Sequence, residues 1–406
     1  MNQPIPRAFL DRIPKTDLHL HLDGSLRVST LIELAKSSNV PLPSETEEGL
    51  YSLVFKEKYK DLPDYLQGFG LTCAVLQTPE NLERAAYELA VDNIAENVRH
   101  IEVRYAPQQH VRPGLTLEEV VLAVDRGLRR AADEHNASPA VVSGEDLPFH
   151  YGIIVCAMRF FLPVFSPYYA QLFDALPHAA PREIYGLAAT ELVRAVVKLV
   201  NETGVPVVGF DIAGAEKGFP AAWFREAYSI AHKSFLRKTV HAGEAYGPES
   251  IFQALTDCHA NRIGHGTWIF AADRVTDPSI ADKEAFVARL VNYVAERRVT
   301  LEVCPTSNLQ TLPELADITA HPVRKMIDHG LSVSINTDNR LVSRTTPAAE
   351  LQLVCDGLSL TRPQLKNIVI AGFKGSFFPA DYPAKRRFVR QVIDRYEALE
   401  REFFGA

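Results

Sequence analysis

The stretch Thr16-Asp17-Leu18-His19-Leu20-His21-Leu22-Asp23-Gly24 reads as a β-strand that ends in chemistry. Successive strand side chains point to opposite faces, so Leu18, Leu20 and Leu22 share one side while His19 and His21 share the other. Two imidazoles therefore converge on one point. Such a pair becomes a metal site only when further ligands arrive from elsewhere, which turns the question to the other strands and what stands at their ends.

Counting residues 16–22, eight short β-branched or apolar runs occur; the others are 100–105, 151–157, 205–212, 238–241, 262–265, 299–304 and 331–336. Amphipathic segments at 82–97, 117–133, 187–201, 223–236, 248–258, 285–298 and 322–329 lie between them. Strand and helix thus alternate, which calls for a parallel sheet with crossover helices. A doubly wound open sheet alternates in the same way. Eight strands with polar groups at their ends favour the other α/β solution, a (β/α)8 TIM barrel, as one domain across residues 1–406.

Three segments stand apart from the alternation. Within 56–77, Leu62, Tyr65, Leu66 and Phe69 fall at i, i+3, i+4 and i+7, which predicts an accessory helix near the active-site mouth. Its apolar face either packs on the barrel or forms a lid. Residues 134–148, rich in Ala, Ser, Pro and Gly, read as a surface loop. After Thr361 the pattern is helical and completes the outer ring.

The chain has 406 residues, 47% of them hydrophobic, and a formal charge of −7 from 43 basic and 50 acidic residues. This balance, with no Lys/Arg-rich stripe, argues against a nucleic-acid partner and for a small molecule. No run approaches the ~18 apolar residues of a spanning helix, and residues 1–13 lack the features of a leader, so a cytoplasmic location without membrane association is expected. The five scattered cysteines, Cys73, Cys156, Cys258, Cys304 and Cys355, read as buried free thiols in a reducing compartment.

The fifth run leads into His241-Ala242-Gly243-Glu244, the sixth into Gly264-His265-Gly266 and the eighth into Asn336-Thr337-Asp338-Asn339. Polar groups just past barrel strands are where active sites gather. Imidazoles with a carboxylate suit zinc, and a catalytic ion keeps one position open for water. His19, His21, His241 and Asp338 are the expected ligands. His265 is placed to orient that water or take its proton, unless it is a glycine-flanked structural residue. Glu244, three residues past a ligand, is either a proton donor with a raised pKa or an orienter of His241. The other nine histidines are read as surface or capping groups.

In order along the chain, HLHLDGSL, GFDIAGAE, HAGEAYGP, RIGHG, CPTSNLQT and INTDN resemble the motifs of the adenosine deaminase family, from Thr16 to about Ser343. The resemblance implies a barrel with one zinc that converts adenosine and 2'-deoxyadenosine to inosine products and ammonia. It makes His19, His21, His241 and Asp338 the zinc ligands, Glu244 the proton donor to purine N1, and His265 the residue that handles the water. Gly214 becomes the backbone donor to N3, and Asp23, with His21, the contact to the ribose 5'-hydroxyl. Water activated by the metal then adds to C6 while Glu244 protonates N1, and Asp338 and His265 hold the developing charge.

Asn339 departs from the family pattern, which has a second aspartate there to bond purine N7. N7 accepts hydrogen bonds, and an amide donates at any pH, so the bond survives the exchange. The remaining alternatives are deaminases of adenine, AMP or another N6-aminopurine, and a non-catalytic nucleoside-binding barrel. A binuclear hydrolase would need a bridging lysine where this chain has Gly209-Phe210-Asp211, and the PCxxC signature of the base-flipping zinc deaminases is absent.

Overall fold

The computed structural model describes residues 4–405. Its strands are β1 (Lys15–His21), β2 (Val98–Tyr105), β3 (His150–Met158), β4 (Val207–Ala213), β5 (Arg237–Lys238), β6 (His241–Ala242), β7 (Arg262–His265), β8 (Thr300–Val303) and β9 (Val333–Ile335). Neighbours pair in parallel in the orders β1-β2-β3-β4-β5 and β6-β7-β8-β9. Only Thr239 and Val240 separate β5 from β6, and both stay in the ladder: Thr239 N donates to Phe210 O at 3.0 Å, and Gly264 N to Val240 O at 2.8 Å. These two segments are one stave, so the strands number eight in the sense expected from the sequence.

The remaining seam lies between the first stave and the chain just beyond the last. Leu20 bridges Asp338 in parallel. Asp338 N donates to His19 O and His21 N to Asp338 O, each at 2.8 Å. Hydrogen bonds therefore run round the whole ring. The helix Arg362–Gly375 packs over this seam, against β1 and β9.

Every residue of β1 and β2 is buried, as expected for parallel strands covered by helices on one face and closed into a barrel on the other. The helix Leu117–Asn136 shows how a crossover is specified. Thr116 accepts from Glu119 N at 3.2 Å and donates its own N–H to Glu119 Oε2 at 2.7 Å, a reciprocal cap. Val120, Val121, Val124 and Leu128 then follow on one face and are fully buried. Each such side chain contributes about 1.5–3 kcal/mol.

The structure departs from the sequence reading in several elements. The accessory helix is two short ones, Leu62–Leu66 and Phe69–Val75. The expected loop at 134–148 holds a further turn of helix, Pro139–Val142, started by a proline at its first position. The preceding helix also runs on to Asn136. The helices Arg7–Arg12, Val28–Ser37, Glu47–Leu53, Pro167–Ala175, Pro305–Thr311 and Pro347–Gly357 were not anticipated; Arg27, at the N-cap of Val28–Ser37, makes no side-chain capping bond. His100, His110 and His321 are buried rather than at the surface, because two follow or sit on inner strands and the third lies under the site. Four cysteines are buried and Cys73 is partly exposed, and all five are unbridged.

Candidate active site

A cavity of about 640 Å³ opens at the carboxyl ends of the strands. His21 and Asp23 from the end of β1, Gly214 after β4, His241 and Glu244 at β6, His265 at β7, and Asp338 with Asn339 after β9 all line it. His19 lies buried directly beneath. The structure thus brings together all eight lining residues named from the sequence and the ninth below them. The mouth is apolar: Leu62, Tyr65, Leu66 and Phe69 form one side, Phe160 and Phe165 another.

His265 and Asp338 hold φ values of 62° and 60°, a left-handed conformation that costs a non-glycine residue energy and recurs where function demands a particular side-chain direction. Gly264 leaves room for the close approach of His19. A Cβ there would stand 3.0 Å from His19 Cε1.

His19 Nε2 lies 3.0 Å from His241 Nε2, and His21 Nε2 lies 3.2 Å from the same atom. Asp338 Oδ1 is 3.5 Å from both His19 Nε2 and His21 Nε2. A tetrahedral cation with bonds of about 2.0–2.1 Å spaces its ligand atoms about 3.3 Å apart. The donor set fits for a second reason. His19 Nδ1 donates to Glu302 Oε2 at 2.9 Å, and His241 Nδ1 is 2.9 Å from Asp211 Oδ2. His19 thereby keeps its proton on Nδ1 and turns an Nε2 lone pair toward His241 Nε2. A cation held between the rings would take that lone pair as a ligand.

Burial, with Arg104 and the neighbouring imidazoles, pushes His19 well below the usual histidine range, and burial with His241 does the same to His21. Burial raises Asp338 to about 6. A bound cation would draw it down again.

The carboxylates behind the imidazoles belong to a chain of buried charges. Arg104 donates to Asp211 at 2.9 Å and to Glu302 at 2.8 Å. Arg262 donates to Glu302 at 2.6 Å and pairs with Glu102. Arg104, Asp211, Glu302 and Glu102 are fully buried. Removing one member of such a chain leaves an uncompensated charge, at a cost of about 3–5 kcal/mol. None of these residues was singled out from the sequence, although a charge inside an apolar strand run was the visible signal.

Glu244 Oε1 lies 3.7 Å from His265 Nε2 and makes no hydrogen bond or ion pair with His241. Burial, and then the carboxylates of Asp338 and Glu216, raise Glu244 well above the usual carboxyl range. Glu216, from GFDIAGAE, is the other residue missed. Its carboxylate accepts from the backbone N–H groups of Gly243, Glu244, Ala245 and Tyr246 at 2.6–3.0 Å and from Ser250 Oγ at 2.5 Å. The loop that carries Glu244 is thus built round one buried anion.

His265 has a fixed tautomer. Val323 N donates to His321 Nδ1 at 3.0 Å, so His321 Nε2 carries hydrogen and donates to Asn308 Oδ1 at 3.2 Å. The Asn308 amide is thereby oriented and donates through Nδ2 to His265 Nδ1 at 3.1 Å. Burial first, then His241 and Arg104, hold His265 well below the usual range. The neutral ring presents Nε2–H to the cavity.

Asp23 Oδ1 is buried without a partner, 4.0 Å from His21 Nδ1, and burial raises its pKa to about 7. Asn339 donates through Nδ2 to Tyr65 OH at 2.9 Å, and Tyr65 OH shares a 2.8 Å bond with Ser343 Oγ. The accessory helix is therefore hydrogen-bonded to the cavity wall. Gly214 holds φ at 92°, with its backbone at the wall.

Three histidines and an aspartate converge at one end of an eight-staved parallel barrel, beside a buried carboxyl and a fourth imidazole, an arrangement suited to a metal-dependent hydrolase. The family model described as adenosine deaminase matches residues 14–162 and 180–395. An adenosine deaminase from Vibrio atlanticus is 34% identical over 367 residues, 90% of this chain and 94% of the relative. The chain belongs to the adenosine deaminase family, hydrolases that act on carbon–nitrogen bonds. Its fold is shared by an amidohydrolase from Burkholderia ambifaria with bound zinc (TM-score 0.75, 23% identity, 98% of this chain and 95% of that one). It is also shared by an adenine deaminase from Arthrobacter aurescens (TM-score 0.72, 24% identity, 95% of this chain and 99% of that one).

Proposed function

We propose that this chain removes the 6-amino group of adenosine and 2'-deoxyadenosine by hydrolysis, giving inosine, 2'-deoxyinosine and ammonia in purine salvage. The reading takes residues 1–406 as one domain acting in the cytoplasm, with one zinc held by His19, His21, His241 and Asp338. Among the described residues no helix is long and apolar enough to cross a membrane. The observation that carries the proposal is Glu244, buried with a raised pKa beside His265 at the edge of the ligand cage. A carboxyl that holds its proton more tightly than usual can deliver it to a ring nitrogen.

The bound ion would supply a Lewis acid that lowers the pKa of a water from about 15.7 to roughly 7. The chain's own groups do the rest. Glu244 gives its proton to purine N1 as C6 is attacked, which makes C6 electrophilic. His265, with hydrogen on Nε2, donates a hydrogen bond to the oxygen joining C6; the first proton of the water goes to solvent, the second passes by way of the Glu244 carboxylate to the amino group, which leaves as ammonia, and Glu244 then regains a proton from solvent. Gly214 N–H bonds N3, the Asn339 amide bonds N7, and Asp23 with His21 holds the ribose 5'-hydroxyl. Donors aimed at developing charge are worth about 2.7–4 kcal/mol each.

Among the described residues the cavity wall has no lysine or arginine. A 5'-phosphate would find no cationic partner there, which favours a nucleoside over AMP. The test is ammonia release from adenosine, 2'-deoxyadenosine, adenine and AMP, with zinc counted on the same sample. Adenosine should be the best or near-best substrate, and Glu244→Gln should lower kcat by about 10²–10⁴-fold. A preference for adenine or AMP would overturn the substrate, and equal rates with Glu244→Gln would overturn the mechanism.

A further inference from the structure

Asp23, Cys73 and His110 come from three separate elements: the end of β1, the helix Phe69–Val75, and the turn that follows β2. One potential ligand atom from each lies within 4.8 Å of the others. Cys73 Sγ is 3.8 Å from Asp23 Oδ2; on a tetrahedral zinc, sulfur at about 2.3 Å and oxygen at about 2.1 Å stand about 3.6 Å apart. His110 Nδ1 donates to Leu76 O at 2.8 Å, which leaves a lone pair on Nε2. That is the tautomer a metal needs, with a carbonyl orienting the ring from behind. Asp23 Oδ1 and His110 Nε2 are both buried and have no hydrogen-bond partner. Groups that lose water without gaining a partner destabilise the fold, so something is expected to satisfy them. Asp23 and Cys73 also line the cavity, which gives an ion a route in and an open coordination position.

We propose that Asp23, Cys73 and His110 form a second cation site, for a thiophilic divalent ion of the zinc or cadmium class, distinct from the ligand cage of His19, His21, His241 and Asp338. Sulfur, nitrogen and oxygen donors together select such ions over magnesium or calcium. As the S–metal bond forms, the Cys73 thiol loses its proton to the buffer. An ion held there occupies Asp23 and so competes with nucleoside. The competition rests on Asp23 being the contact to the ribose, as proposed above, whereas binding of the ion does not.

The zinc-loaded protein titrated with Cd²⁺ tests this. Binding should give one additional ion per chain and an ultraviolet sulfur-to-cadmium charge-transfer band, which the all-nitrogen-and-oxygen cage cannot produce. Cys73→Ser should abolish the band, and His110→Gln should weaken cadmium binding at least tenfold while its circular dichroism and zinc content match wild type. For the unsubstituted protein the adenosine KM should rise with Cd²⁺ at constant kcat. Absence of the band, its survival in Cys73→Ser, or unchanged affinity in His110→Gln would overturn the site; an ordered water there would give the first of these results. The band without competition would uphold the site and remove Asp23 from the ribose contact.

Discussion

At residue 339 the chain carries an amide where its family pattern has a carboxyl, and the difference is readable in a pH profile. Asn339 donates at any pH, but an aspartate must hold a proton to donate to N7. With Asp338 beside it and Tyr65 OH within hydrogen-bond distance of the present amide, Asn339→Asp should stay active at low pH. Its kcat/KM should then fall through an additional ionisation as the pH rises. Profiles of variant and wild type that superimpose would remove residue 339 from the purine contact. Of the residues legible from the sequence, His241, Glu244, His265, Asp338 and Asn339 stand at the end of an apolar run or just past it, while His19 and His21 lie inside one and are marked by their same-face spacing. Arg104, Asp211 and Glu302 lie inside such runs, and Arg104 stands 107 and 198 residues from the two carboxylates it pairs with. Only the curvature of the ring makes them neighbours.

The loop from Gly243 to Tyr246 has no regular structure of its own to fix it, and the Glu216 carboxylate substitutes for that structure. An amide in its place keeps one acceptor oxygen and turns an NH₂ toward backbone donors. Glu216→Gln should therefore lower kcat by about 10–100-fold, the range typical of partners behind an active group. Zinc content should be unchanged. A second readout separates positioning from mere folding: Glu216 helps hold the Glu244 proton, and Glu244 acts in its protonated form. Activity is lost as the pH rises through the Glu244 pKa, so removing the neighbouring charge should move that alkaline limb to lower pH. A limb that stays in place would show that Glu216 shapes the loop without tuning the acid. The accessory segment gives the converse lesson. Its period correctly put Leu62, Tyr65, Leu66 and Phe69 on one face of the cavity, but the same spacing is kept across the break at Gln67 and Gly68, so periodicity could not see two helices.

Across the whole barrel, the buried charges have to be counted as part of the fold. Burial alone would raise Glu102, yet Arg262 and His100 outweigh it and hold its pKa at about 2, below its ordinary 4.5. A carboxylate depressed in the folded state contributes stability that is complete above pH 4.5 and is lost as the pH falls toward 2. At about 1.4 kcal/mol per pH unit this is on the order of 3 kcal/mol. Glu102→Gln should lower the urea midpoint at pH 7 by the equivalent of about 3–5 kcal/mol, because Arg262 loses one of its two carboxylate partners. It should also flatten the acid limb of stability. A variant as stable as wild type would mean that Glu302 alone satisfies Arg262. The number of staves was legible because each one is a short apolar run. How the ring shuts was not, since it depends on backbone groups more than three hundred residues apart.

That closure has a consequence for how this protein can be taken apart. The peptide of Asp338 is the clasp between the first stave and the end of the last, and its side chain faces the two histidines that the first stave carries. Architecture and reactivity meet in a single amino acid. A chain cut short of this position would not be a slower catalyst on an intact scaffold, because the same excision unfastens the cylinder.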